Sequence, residues 1–161
     1  MALAAILGVF PSLAAPAQSA DLPAEIEDRI VQGVHTCLDY YEQGVSIATL
    51  GAKGFTPKAR WVETKVVLPA QSSAKRTYFV RVLIENGDEC EIHSNYYQGN
   101  PEYPAFTLAT QVVVDDGYTI IKGSSKFSRA KSVFQKARVS MWFKVRNQSN
   151  ILMVKFRKRP N

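Results

Sequence analysis

No stretch of this 161-residue chain approaches the 18 consecutive apolar residues that a membrane-spanning helix needs. The one compact apolar run, Ala2–Phe10, is half that length. Cysteine and histidine are equally scarce, at two each. The cysteine-rich frameworks of small disulfide scaffolds are thereby excluded, and so are clustered metal motifs. There is no Gly-x-Ser-x-Gly elbow, no phosphate-cradling glycine loop, no His-Glu-x-x-His and no dinucleotide fingerprint. The sequence therefore points to no catalytic residue, cofactor or resident metal.

The first 20 residues also lack any charged side chain. An apolar run of signal-peptide length is followed by small residues at Ala15, Ala17, Ser19 and Ala20, which reads as an export signal with cleavage at Ala15-Pro16-Ala17 or before Asp21. The pattern departs from the usual one in having no Lys or Arg ahead of the run. The expected organisation is residues 1–20 as signal peptide and 21–161 as one domain, located in a periplasm or secreted.

What the chain does have begins at Pro23. Proline in the first turn and Glu25, Glu27 and Asp28 close behind suit a helix start, where carboxylates meet the positive end of the dipole. Ile26, Ile30, Val34, Leu38, Tyr41 and Val45 recur every three or four residues and make one apolar stripe. Gly44 breaks the pattern, and a second short helical piece ends at Gly54. Strands are expected at Trp61–Leu68, Tyr78–Glu85 and Glu89–Ser94, the last two joined by the hairpin dipeptide Asn86-Gly87. Asn95–Tyr103 reads as a connection. A helix over Pro104–Asp115 ends at Gly117, a short strand covers Thr119–Ile121, Lys126–Phe134 is ambiguous, and Arg138–Arg146 with Ile151–Arg157 closes the chain as a hairpin.

Gly54-Phe55-Thr56 recurs 63 positions later as Gly117-Tyr118-Thr119. At the same ungapped offset, Ala74–Val82 falls on Ala137–Val145, aligning Lys75 with Arg138, Phe79 with Trp142 and Arg81 with Lys144. The halves 23–95 and 103–158 are read as copies of one unit with a helix and about three strands. The fold class expected is α+β: an antiparallel sheet of about six strands with helices on one face, built from that duplicated unit.

Cys37 lies at the edge of the helix stripe, and Cys90 shares a strand face with Ile92. Helix packed on sheet brings the two together, and an even count in an exported protein favours a disulfide; in the cytosol the same residues would be buried thiols. A zinc site from Cys37, Cys90, His35 and His93 conflicts with their spacing. Residues two apart on a helix diverge by about 200°, and residues three apart on a strand face opposite ways.

Net charge is +6 overall. Residues 21–100 carry 8 Lys+Arg against 11 Asp+Glu, whereas residues 101–161 carry 12 against 3. In the closing hairpin, Lys144, Arg146, Lys155 and Arg157 share a face with Trp142, while Met141, Phe143, Val145, Leu152, Val154 and Phe156 take the other. Lys126, Arg129, Lys131, Lys136 and Arg138 precede it. This pattern points to contact with an anion: an acidic protein, an anionic lipid or a glycan. The functional expectation is an exported, non-catalytic binding or accessory protein acting through Lys144, Arg146, Lys155, Arg157 and Trp142. If the N-terminus is not an export signal, the same basic and aromatic face suits single-stranded nucleic acid. A small envelope enzyme with a site at Tyr96 and Tyr97 is the remaining alternative.

Overall fold

A computed structural model describes residues 22–69, 75–96, 101–123, 132–137, 139–148 and 151–159, the side chains of residues 69, 75, 142, 147 and 148 excepted. The expected signal segment, the Gln71–Ala74 loop, Lys126, Arg129, Lys131, Arg138 and Tyr97 lie outside the described residues.

Helix α1 spans Ala24–Gln43 and buries Ile26, Ile30, Val34, Cys37, Leu38 and Tyr41; Val45, the last residue of the expected stripe, lies beyond the helix and is only partly buried. It closes on Gly44, whose φ of 72° is the left-handed conformation that glycine adopts without steric cost. A 3₁₀ turn, Ile47–Lys53, follows, started by the Ser46 side chain accepting from the amide of Ala48 and closed by Gly54. The strands of the first half are β1 (Thr56–Pro57), β2 (Trp61–Pro69), β3 (Lys75–Glu85) and β4 (Glu89–Ser94). Asn86 and Gly87 both take positive φ between β3 and β4, as a hairpin turn of that composition requires. The second half contributes α2 (Glu102–Asp115), β5 (Thr119–Lys122), β6 (Ser132–Lys136), β7 (Val139–Gln148) and β8 (Ile151–Lys158).

The class is α+β, with eight antiparallel strands among the described residues rather than about six, in the order β1-β2-β3-β4-β8-β7-β6-β5. Each half supplies four strands, not three. The additions are β1 and β6; β5, expected at Thr119–Ile121, and β1 are both short and form the two edges, where a brief strand limits unwanted pairing. The order is palindromic: exchange β1 for β5, β2 for β6, β3 for β7 and β4 for β8, and it reads unchanged.

Local details repeat along with the order. Gly54 and Gly117 have φ of 83° and 89°. Phe55 and Tyr118 are both buried. The amide of Phe55 donates to Leu50 and that of Tyr118 to Val113, each at 3.2 Å. The registers place Val66 opposite Tyr78 and Phe134 opposite Met141. The counterpart of Val66 is therefore 68 positions on (134 minus 66), although Tyr78 and Met141 keep the spacing of 63.

All described helices pack on one face. Against it stand Val62, Val66, Val80, Val82, Cys90 and Ile92 from the first half and Phe134, Met141, Phe143, Val145, Val154 and Phe156 from the second. Phe143 stacks on Phe106 of α2 and on Phe156, with centroids 5.2 and 5.4 Å apart. Cys37 and Cys90 form a disulfide, with Cα atoms 5.7 Å apart, tying α1 to β4. Close by, Gly33 lets α1 approach the sheet: a Cβ there would lie 2.9 Å from Cγ1 of Ile92. The Tyr41 hydroxyl accepts from the Cys90 amide at 2.8 Å and shares its proton between the carbonyls of Asp88 and Phe156. Among the described residues no helix is long and apolar enough to cross a membrane.

Candidate functional site: the open face of the sheet

The helices leave the second face of the sheet uncovered by any described helix, and side chains alternate along a strand. The residues between the core positions therefore line this open face. Register orders them in rows. One row runs Trp61, Leu83, Glu91, Lys155, Lys144; the next runs Glu63, Arg81, His93, Met153, Arg146.

The centre lies where the halves meet, at β4 and β8. Ile92 pairs with Val154, and the pairs on either side are Glu91–Lys155 and His93–Met153. Glu91 is almost wholly buried. Burial raises its carboxyl pKa, but hydrogen bonds from His93 and Lys155 outweigh that and bring it to about 2. His93 Nε2 lies 2.6 Å from Glu91. Lys155 is ion-paired to both Glu89 and Glu91. Burial opposes its charge, yet the two carboxylates push its pKa above the ordinary lysine value. Arg157 pairs with Asp88 at 2.9 Å and with Glu89 at 3.4 Å.

Away from the centre the two halves differ. In the first half, Arg81 pairs with Glu63 and lies over two rings, 3.9 Å from the centroid of Phe79 and 5.3 Å from that of Trp61. Such stacking holds the guanidinium flat while leaving an edge for further contact. In the second half, Lys144 directly faces Lys155 on the neighbouring strand. Arg146 donates from Nε to the sulfur of Met153 at 3.4 Å, a weak acceptor. Among the described residues no carboxylate pairs with Lys144 or Arg146.

The four cations read from the sequence thus occupy two settings. Lys155 and Arg157 belong to a network of carboxylates from the other half, whereas Lys144 and Arg146 do not. The Trp142 side chain lies outside the described residues. Tyr96, named for the enzyme alternative, is buried edge-to-face against Tyr78 at 5.2 Å, and burial raises its pKa. What composition alone did not reveal is the acidic side of the joint, Asp88, Glu89 and Glu91. Its signal was present in the run Asp88-Glu89-Cys90-Glu91, whose alternate carboxylates leave the core face.

One more ion cluster links the halves, on the helix side. Lys136 of β6 reaches Glu42 at the end of α1, at 3.1 Å, and Asp116 after α2, at 3.0 Å, and lies 5.4 Å from the ring centroid of Tyr118. In every ion pair between halves among the described residues, the cation comes from the second half and the carboxylate from the first. Glu85, Glu89 and Glu91 also gather closely enough to suggest a cation site, but two of the three are already held by Lys155.

Comparison with protein families, characterised proteins and solved structures finds no match to this chain.

Proposed function

We propose that this chain is an exported, non-catalytic binding protein, periplasmic or secreted, that meets an acidic partner with the open face of its sheet. The observation that carries the reading is the pair of cations on that face, Lys144 and Arg146, without a carboxylate among the described residues, beside two others that are fully engaged. Cations placed for folding would be expected to have partners of the kind Lys155 has. The Cys37–Cys90 disulfide supports an oxidising compartment, as does the apolar leader. The non-catalytic reading rests on the sequence, which carries none of the motifs of nucleophilic, phosphate-binding, metalloprotease or dinucleotide chemistry. The palindromic strand order and the repeated Gly-aromatic stops support duplication of a helix-plus-four-strand unit.

The test is site-specific photo-crosslinking in the native host. A photoreactive residue goes at Val67 or Ile151 on the open face, and in a separate chain at Gln111 on the exposed side of α2. Adducts from the open-face positions, on a chain that has lost its first 20 residues, are expected. Adducts only from Gln111, no adduct at all, or a full-length chain in the cytosol would overturn the proposal.

A further inference from the structure

The pattern of sign on the open face narrows the partner further, and this step rests on the binding reading above. We infer that the partner is a folded protein whose surface has mixed charge, with carboxylates where it covers Lys144 and Arg146 on β7.

Three observations lead there. First, Lys144 faces Lys155 across the β7–β8 ladder. Like charges directly opposite destabilise a sheet. Lys155 is neutralised by Glu89 and Glu91, but nothing described offsets Lys144. Arg146 stands two residues along the same strand, roughly 7 Å away by the rise of extended chain, and its only described side-chain bond is to a thioether. Two adjacent cations held at a cost to the fold, with donors unfilled, match two carboxylates on one partner surface.

Second, the rest of the face is not basic. Glu63, Glu85, Glu89 and Glu91 are interleaved with Lys65, Arg81, Lys155 and Arg157, an even balance of sign. A nucleic acid strand, a sulfated glycan or an anionic bilayer presents one sign continuously and would bring negative charge onto these carboxylates. A folded protein can alternate sign over the same distances, which is how charge complementarity confers specificity.

Third, the face has the dimensions of a protein interface. Eight strands at ~4.8 Å spacing and about six residues of length make a surface of roughly 34 by 20 Å. That approaches the ~800 Å² a standard interface takes from each partner. It also carries anchors of the kind enriched at interface centres: the Arg81 stack on Phe79 and Trp61, with Val67 exposed at one side.

The decisive experiment uses the full chain in its native host, with the photoreactive residue at Val67 and adducts identified by mass spectrometry. In a Lys144→Glu/Arg146→Glu background the adduct should fall at least tenfold. Lys53→Glu, in the 3₁₀ turn on the helix side, should leave it within twofold. Carboxylates in the cross-linked partner segment are then changed to lysine, which should restore the adduct to the reversed chain. The uncharged pair Lys144→Gln/Arg146→Gln, with its melting temperature measured in parallel, guards against a folding defect in the reversal. An adduct to protein that charge reversal does not alter would overturn the inference while leaving the binding reading standing. Adducts to nucleic acid, lipid or glycan would also overturn it. Absence of any open-face adduct would remove the binding reading itself.

Discussion

Ile92 pairs with Val154 at the centre of the sheet, and the flanking pairs repeat about that point: Cys90 with Phe156 on one side, Ser94 with Leu152 on the other. Ile92 and Val154 occupy equivalent places in the palindromic strand order. On the core face these positions are apolar except for the buried Ser94. On the open face the symmetry is broken by charge, with Glu91 opposite Lys155 but His93 opposite Met153. An acidic β4 against a basic β8 sets opposite charges across this ladder and favours the pairing seen.

The disulfide should contribute substantially to stability. It closes a loop between residues 53 apart, for which the chain-entropy model gives about 4 kcal/mol. Replacing both Cys37 and Cys90 with alanine is expected to lower the melting temperature by roughly 8–15 °C, at 2–4 °C per kcal/mol for a domain of this size. Calorimetry of the double variant, beside reduced wild type, checks it.

Gly33 should not tolerate a side chain despite its place inside a helix. Alanine there gains about 1 kcal/mol of helix propensity, but its Cβ meets Ile92 at 2.9 Å and Val82 at 3.1 Å. Overpacking of this kind costs about 1–3 kcal/mol. Gly33→Ala should therefore be neutral to destabilising, and Gly33→Leu should not fold. Denaturant titration of the two variants measures the difference.

Much of this was legible in the sequence because the signals are local. The 3.6-residue stripe from Ile26 to Tyr41 and the Asn86-Gly87 turn each need only neighbouring residues to be read. Thr56–Pro57 is too short to show alternation, so β1 was invisible and the strand count fell short. The segment Lys126–Phe134 reads ambiguously, so β6 (Ser132–Lys136) was not counted either. Matching positions shift from a spacing of 63 to one of 68 before it, so an ungapped comparison aligns β3 with β7 and loses β2 against β6. Val112-Val113-Val114 suits a strand by propensity, yet Val112 and Val113 are buried in α2, where packing overrides propensity. The candidate site was half legible. Alternation placed Lys144, Arg146, Lys155 and Arg157 on one face. Which of them are neutralised depends on β4 lying beside β8, a pairing between residues 64 apart at Glu91 and Lys155 (155 minus 91) that local pattern does not encode.

Acid should expose the joint. The folded Glu91 carboxyl, at about 2, lies below its ordinary value of 4.5. A depressed carboxylate stabilises the fold fully above the unfolded value and loses that contribution as pH falls toward the folded one. Stability should thus decline between pH 4.5 and 2, by a few kcal/mol from this group. Glu91→Gln should flatten the decline while lowering stability at neutral pH, where Lys155 is left with Glu89 alone. Urea unfolding at several pH values tests both parts.

Under the proposed function, the basic charge of the second half divides into cations that join the halves and cations left for a partner. Thermal unfolding of two double variants tests that division most directly. Lys155→Gln/Arg157→Gln should lower the melting temperature by roughly 5–10 °C, since it leaves Glu91 buried with only His93; the loss follows from about 2–3 kcal/mol for breaking a largely buried charge pair. Lys144→Gln/Arg146→Gln should melt within about 2 °C of wild type, or slightly above it, because the like-charge pair with Lys155 is relieved. Equal losses in the two variants, or the larger loss in the second, would contradict the division and with it the assignment of Lys144 and Arg146 to a partner.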